Sequence, residues 1–555
     1  MNRTKGEFLM DEFREITMGE LLRETASRYP DREALVFPAA SLRLTYSEFE
    51  QKCRETAKGF MALGVKKGDH VSVWTTNIPE WTYLQFSLGM IGAVLVTVNT
   101  NYKSSELNYI LNQSDSTTLV LIEEYRDTNY YETIRTVVPG LDSMEAGKMR
   151  SEGLPLLKNL VYIGNRKETP GMFSFAQVLD LGRQITDANL DARAKSVHFH
   201  DVVNMQYTSG TTGFPKGVML THYNVINNAR MVGDVMGMTE QDRLLIQVPL
   251  FHCFGCVMSS LNCVVHGSTM IMMEYFDPLK ALHYIQDEKC TAINGVPTMF
   301  ISILSHEDFS KYDMSSLRTG IMAGAPCPEE TMRQVMEKMH CPEVVIAFGQ
   351  TESSPVMNMT RRDDPIDVRV TTVGRLLPGI QGKIIDPTTG EELPPNVQGE
   401  IVTKSPCVMK GYYKMPEDTK KAIDANGWLH TGDLGAVDEQ GNFKITGRIK
   451  EMIIRGGENI YPREIEEFLH KHPKVRDVYV VGVPDKKYGE QLLAVVIPEP
   501  GEKITGDELV EYCTNRIARH KIPRYWEFTD EVPMTASGKV QKYKIVEQYS
   551  ARFTG

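Results

Sequence analysis

Tyr207-Thr208-Ser209-Gly210-Thr211-Thr212-Gly213-Phe214-Pro215-Lys216-Gly217 is the stretch on which the reading of this chain turns. An apolar-leaning run at 202–207 precedes it and reads as a strand, and a segment at 223–235 with helical character follows. Gly210, Gly213 and Gly217 let the backbone turn tightly and bring amide hydrogens close to an anion. Thr208, Ser209, Thr211 and Thr212 offer hydroxyls to phosphate oxygens, and Lys216 adds positive charge on a long stem. This is the grammar of a triphosphate cradle. It is not the P-loop of kinases and GTPases, because Pro215 stands at the second glycine position and Gly217 where the magnesium hydroxyl belongs.

The size and composition around this stretch narrow the field. A chain of 555 residues is too long for one compact core, so two or more domains are expected. The formal net charge of −11 argues against a nucleic-acid partner, which would call for a basic excess. Nine scattered cysteines form no disulfide framework and point to a reducing compartment. Cys253 and Cys256 have CxxC spacing, but without a matching second pair they read as apolar packing rather than a zinc half-site. Residues 1–20 lack an apolar core of signal-peptide length. The apolar run 86–98 is too short to span a membrane and reads as a buried helix passing into a buried strand. The expectation is a cytoplasmic enzyme, or one of the mitochondrial matrix if the source is eukaryotic.

Helical and strand patterns alternate along the chain. Ser47 and Glu50 stand at capping-box spacing and open a helix whose buried face carries Phe49, Cys53, Ala57, Phe60 and Met61. Strands are expected at 70–74, 93–98 and 118–122, with helices from Pro79 and over 102–113. The alternation resumes with strands at 244–249, 269–273 and 291–296. It describes an α/β fold: a large N-terminal domain of layered, mainly parallel sheets. Near residue 380 short strands bounded by turns suggest a β-rich subdomain, at about 375–447. A small α+β unit of 450–555 follows, with strands at 475–483 and 492–497 and a helix over 507–519.

Four further motifs agree with the first. They are Phe348-Gly349-Gln350-Thr351-Glu352, His430-Thr431-Gly432-Asp433, the run from Gly447-Arg448-Ile449-Lys450 through Gly456-Gly457-Glu458 to Pro462, and Pro533-Met534-Thr535-Ala536-Ser537-Gly538-Lys539. With the opening stretch they resemble the signatures of adenylate-forming enzymes: acyl-CoA synthetases, peptide-synthetase adenylation domains and luciferases. The resemblance covers the chain from Thr45 onward and is strongest to medium-chain fatty acyl-CoA synthetases.

The resemblance implies the following roles. ATP is held by Thr208 to Gly213, Lys216, the turn Gly324-Ala325-Pro326, Phe348, Gly349, Thr351, Asp433, Arg448 and Lys539. Phe348 stands where tyrosine is more usual and keeps the face that stacks on adenine. Asp433 takes the ribose hydroxyls, since each carboxylate oxygen can accept from one. Mg²⁺ is held by Thr208 and Glu352, oxygen ligands that suit a hard ion. Catalytic roles fall to Lys539, Thr208, Glu352 and His252. The acyl pocket includes His252, Phe254, Val296 and Gly324, with His252 as a gate. Lys450 is the hinge of a mobile C-terminal domain, and Gly456, Gly457 and Glu458 line the tunnel for coenzyme A. The partners implied are a carboxylic acid, ATP and CoA; a homodimer is left open. An aromatic or alicyclic acid is the alternative substrate. A luciferase-type oxygenase and a non-catalytic nucleotide-binding homologue are the rival classes; the second would be expected to lose Lys539 or Glu352, and both are kept.

Overall fold

Two large sheets, one of eight strands and one of nine, carry most of the chain. A computed structural model describes residues 13–208, 215–456, 458–535, 540–550 and 552. Contacts divide it into two units: Met1–Gln381 with Lys404–Leu429, and Gly382–Thr403 with His430–Gly555.

In the first unit, the eight-stranded sheet runs Gly411–Tyr412, Lys216–Thr221, Val202–Thr208, Val94–Thr97, His70–Trp74, Ser116–Leu121, Asn159–Tyr162, Phe173–Ser174. From Val202–Thr208 onward its strands are parallel, and the two edge strands before it are antiparallel. The nine-stranded sheet has a parallel centre, ordered Glu343–Gly349, Thr319–Ala323, Ala292–Gly295, Arg243–Ile246, Thr269–Met272, Glu33–Phe37. One continuous apolar core joins the two sheets through the helices between them. Helix Pro79–Ile91 lies in that core with nearly every residue buried, so its sequence shows no polar stripe. It passes through Gly92, in the left-handed conformation, into the buried strand Val94–Thr97. This is the expected reading of the longest apolar run.

The first long helix, Tyr46–Ala62, starts two residues earlier than its sequence signature suggests. Its capping box is made by Thr45 and Glu48, not Ser47 and Glu50. Thr45 is also the last residue of strand Leu42–Thr45, and the chain can turn from strand to helix only there. Phe49, Cys53, Ala57 and Phe60 are buried as expected.

The second unit holds a four-stranded sheet, Gln381–Ile385, Gly399–Lys404, Leu429–Val437, Phe443–Arg448, and a five-stranded one built on the long hairpin Val475–Asp485 and Gly489–Pro498. Lys450 lies between these two sheets, in the short turn Ile449–Glu451. The helix after Thr505 ends at Cys513 rather than Arg519. Thr514 is extended and Asn515 takes φ +62°, which stops the helical ladder. Among the described residues no helix is long and apolar enough to cross a membrane.

His222, the first residue of helix His222–Met236, is fully buried and accepts from the Met18 N–H through Nδ1 at 3.0 Å. Burial pushes its imidazole down to about 3 from the ordinary 6.5. The folded state therefore keeps it neutral where the unfolded chain protonates it. The stability it contributes is complete above pH 6.5 and drains away as pH falls toward about 3. Denaturant midpoints of wild type and His222→Asn, followed across that range, should converge or cross as the pH is lowered.

Candidate active site

The glycine- and hydroxyl-rich stretch joins two paired strands. Strands Val202–Thr208 and Lys216–Thr221 pair antiparallel, with Thr208 opposite Lys216. Ser209, Gly210, Thr211, Thr212 and Gly213 lie outside the described residues. The base of the hairpin is held from several sides. Tyr109 Oη donates to the Pro215 carbonyl at 3.0 Å, and Tyr207 Oη donates to Gln113 Oε1. Gln113 Nε2 donates to the Tyr413 carbonyl at 2.9 Å, and the Tyr413 amide donates to the Gly217 carbonyl at 2.8 Å.

The returning strand Gly411–Tyr412 pairs with Val218 and Met219 and brings two side chains that no motif marks. Tyr412 Oη donates to Glu352 Oε1 at 2.8 Å. Burial, with the Glu352 charge beside it, pushes the Tyr412 phenol well above its usual range, so it stays a donor at any working pH. Asp418 Oδ1 lies 3.1 Å from Lys216 Nζ, which also sits 5.1 Å from the centre of the Tyr412 ring. The expected phosphate-loop cation and the expected magnesium carboxylate are thus both held by one short segment.

Glu352 follows Phe348 and Gly349, at the end of strand Glu343–Gly349. A Cβ at Gly349 would fall 1.8 Å from the Pro355 carbonyl oxygen, so only glycine fits. Gly324, with φ +89°, Ala325 and Pro326 form an exposed turn just beyond the adjacent strand Thr319–Ala323. Val296 follows the next strand, Ala292–Gly295, and the segment with His252 and Phe254 follows the one after, Arg243–Ile246. Motifs a hundred residues apart in sequence therefore line up along the carboxyl edge of one parallel sheet, where open α/β sheets bind ligands.

Residues 249–261 are wound with little slack. His252 Nδ1 accepts from the Phe254 amide at 3.2 Å, and a Cβ at Gly255 would lie 2.2 Å from the Pro249 carbonyl oxygen. A π-helix, Cys256–Leu261, follows. Gln85 Nε2 donates to the Cys256 carbonyl at 2.7 Å, and Asn294 Nδ2 donates to that of Met258 at 3.1 Å. Wide turns of this kind free carbonyls that need outside donors. Cys253 Sγ donates to Gln206 Oε1 at 3.0 Å, and Gln206 Nε2 donates to Cys256 Sγ at 3.0 Å. Burial pushes Cys256 up to about 12 and Cys253 well above its usual range. These are buried, protonated thiols; burial is as expected, but their partner is the Gln206 carboxamide as well as apolar groups.

In the second unit, Asp433 and Arg448 are register partners on adjacent strands, with Arg448 Nε 2.8 Å from Asp433 Oδ1. Glu400, buried and unmarked by any motif, shapes the turn before Asp433. It takes the Gly432 amide on Oε1 at 3.1 Å and meets His430 Nδ1 on Oε2 at 2.9 Å. Thr431 Oγ1 accepts from the Asp433 amide at 3.0 Å. Lys450 and Glu458 are exposed, and Gly456, with φ +61°, packs on the Tyr488 ring. Arg455 lies 4.4 Å from the centre of that ring. Gly457 and Lys539 lie outside the described residues.

Glu352 offers a carboxylate and Thr208 a hydroxyl, oxygen donors of the kind magnesium takes. Among the described residues no group of three or more His, Cys, Asp or Glu could hold a metal ion.

Comparison with known proteins places the chain in a family. The AMP-binding enzyme family matches residues 22–413, and the AMP-binding enzyme C-terminal domain matches 464–539. The chain belongs to this family of adenylate-forming enzymes, and within it to the acyl-CoA synthetase branch. It is 54% identical to YngI of Bacillus subtilis, named provisionally as an acyl-CoA synthetase, over 96% of this chain and 97% of that one. It is 38% identical to the mouse mitochondrial medium-chain acyl-CoA ligase ACSF2, over 96% of this chain and 87% of the other. The solved o-succinylbenzoate CoA synthetase MenE of Bacillus subtilis, in complex with its acyl-adenylate, is 27% identical with a TM-score of 0.77, covering 96% and 98% of the two chains.

Tyr412→Phe removes the hydrogen bond that orients Glu352 and leaves the ring beside Lys216 in place. Adenylate formation, followed as pyrophosphate release at saturating acid, should slow about three- to tenfold, with the thermal midpoint almost unmoved.

Proposed function

We propose that this AMP-forming acid–CoA ligase acts on a medium-chain fatty acid or a similarly apolar acid. The carrying observation is the make-up of the carboxyl edge, where Phe254, Val257, Met258 and Val296 are buried in one apolar cluster. The 38% identical relative named for medium-chain acids supports the same choice. The CoA synthetase for an aromatic acid noted above supports an aromatic or alicyclic acid as the second reading.

The first step joins two anions. A carboxylate oxygen attacks the α-phosphorus of ATP, the bond to pyrophosphate breaks, and acyl-AMP forms. The acid needs no base, since a carboxyl group is already ionised near neutral pH. His252 and Phe254 orient it. Lys216 supplies positive charge at the base of the phosphate loop, and Lys539 supplies the cation that arrives for this step. Magnesium, held by Glu352 and Thr208 when bound, neutralises phosphate charge. Phe348 offers a stacking face to adenine, and Asp433 receives the ribose hydroxyls. In the second step the thiol of CoA attacks the acyl carbonyl, AMP leaves, and the thiol proton passes to solvent. Lys450 is the pivot between the two steps, and Gly456, Gly457 and Glu458 border the path of the pantetheine arm.

A panel of short-, medium- and long-chain fatty acids with benzoate, assayed for AMP with and without CoA, tests the substrate. The expected result is CoA-dependent AMP release with the highest kcat/KM on a medium-chain acid. A clear preference for benzoate would replace the fatty acid by the aromatic reading. Lys539→Ala should slow adenylate formation by roughly a hundredfold or more, while thioester formation from supplied acyl-AMP falls far less. Equal losses in both steps would remove Lys539 from its assigned role.

A further inference from the structure

We propose that Asn77 is a positioning residue for the acid site, its buried carboxamide setting the turn from which His252 and Phe254 are presented. The inference rests on the reading of His252 and Phe254 as acid-binding residues.

Asn77 follows strand His70–Trp74 of the eight-stranded sheet and is 4% exposed. Its side chain reaches across to the other sheet. Nδ2 donates to the Val248 carbonyl at 3.0 Å and to the Met273 carbonyl at 3.1 Å. Oδ1 accepts from the Leu250 amide at 2.8 Å. Val248 and Met273 lie just past the ends of the neighbouring parallel strands Arg243–Ile246 and Thr269–Met272. One amide thus ties together the carboxyl ends of three strands from two sheets.

The chemistry of the spot explains the residue type. The ladder of strand Arg243–Ile246 has ended by this point, and the Val248 carbonyl and the Leu250 amide take the Asn77 side chain as their partner. A carboxamide offers the donor and the acceptor that a neighbouring peptide group would. Aspartate could not donate to two carbonyls, and a hydroxyl could not serve all three groups. The backbone of Asn77 is itself anchored, its N–H donating to the Glu274 carbonyl at 3.1 Å.

The turn that Asn77 holds cannot absorb a shift. The His252 amide donates to the Pro249 carbonyl at 3.2 Å, and Gly255 already lies against that same carbonyl. Downstream, Gln85 and Asn294 fix the π-helix. A displaced Leu250 would therefore move His252 and Phe254, which lie between the two anchored ends. The phosphate hairpin and Glu352 also have contacts of their own, those of Tyr109, Gln113 and Tyr412, and the turn meets the hairpin strand at Gln206 alone among the contacts named above.

Steady-state kinetics of Asn77→Ala and Asn77→Ser, with the acid and MgATP varied in turn, test this. The expected result is a KM for the acid raised about tenfold, with the KM for MgATP changed less than about twofold. A role in folding alone would lower the active fraction and the thermal midpoint and leave both KM values in place; that result would overturn the proposal. A parallel rise in both KM values would overturn it too, as would failure of both variants to fold. His252→Ala separates the layers. If it leaves the acid KM unchanged, the acid-site reading itself fails. If it raises that KM and the Asn77 variants do not, only the positioning role is lost.

Discussion

A two-residue strand does more for the site than any motif. Gly411–Tyr412 pairs with the outer edge of the phosphate hairpin, and its neighbours Lys410 and Tyr413 extend the pairing through bonds to Met219 and Gly217. Edge pairing fixes register, and register decides which side chains face which. Here it sets the Tyr412 phenol against Glu352 and its ring beside Lys216, with Asp418 of the following helix closing on the same lysine. A carboxylate must meet a triphosphate in this enzyme, so the positions of its few opposite charges matter more than their number. The chain returns nearly two hundred residues after the hairpin to lock them.

The parts of the fold that were legible in the sequence were those with a period or a punctuation mark. The strand before the cradle and the all-apolar run from helix to strand follow from spacing alone. The shifts occurred where a tertiary constraint decided between near-equal local options. Thr45 and Ser47 can both cap, and the strand that ends at Thr45 chose between them. Thr514-Asn515 carries a stop signal that the apolar period beyond it obscured.

The site divides in the same way. Glu352, Asp433 and Lys216 sit inside recognisable strings, so their positions could be anticipated. Asn77, Glu400, Tyr412 and Asp418 act through partners 30 to 202 residues away and carry no local signature. Each is a single polar residue in an ordinary setting, and only the folded arrangement shows what it faces. Three of the four serve by occupying an acceptor or donor beside a turn or a carboxylate. The motif residues are those proposed to meet the ligands, and these others hold the motif residues in place.

The two thiols clasped by Gln206 have a chemical implication. An acyl-adenylate is an electrophile waiting for sulfur, and Cys253 immediately follows the proposed gate. Sulfur reacts as thiolate, and burial pushes Cys256 up to about 12, so it stays a thiol at neutral pH. Burial, rather than the Gln206 contact, holds both sulfurs as thiols, poor nucleophiles toward an activated acyl group.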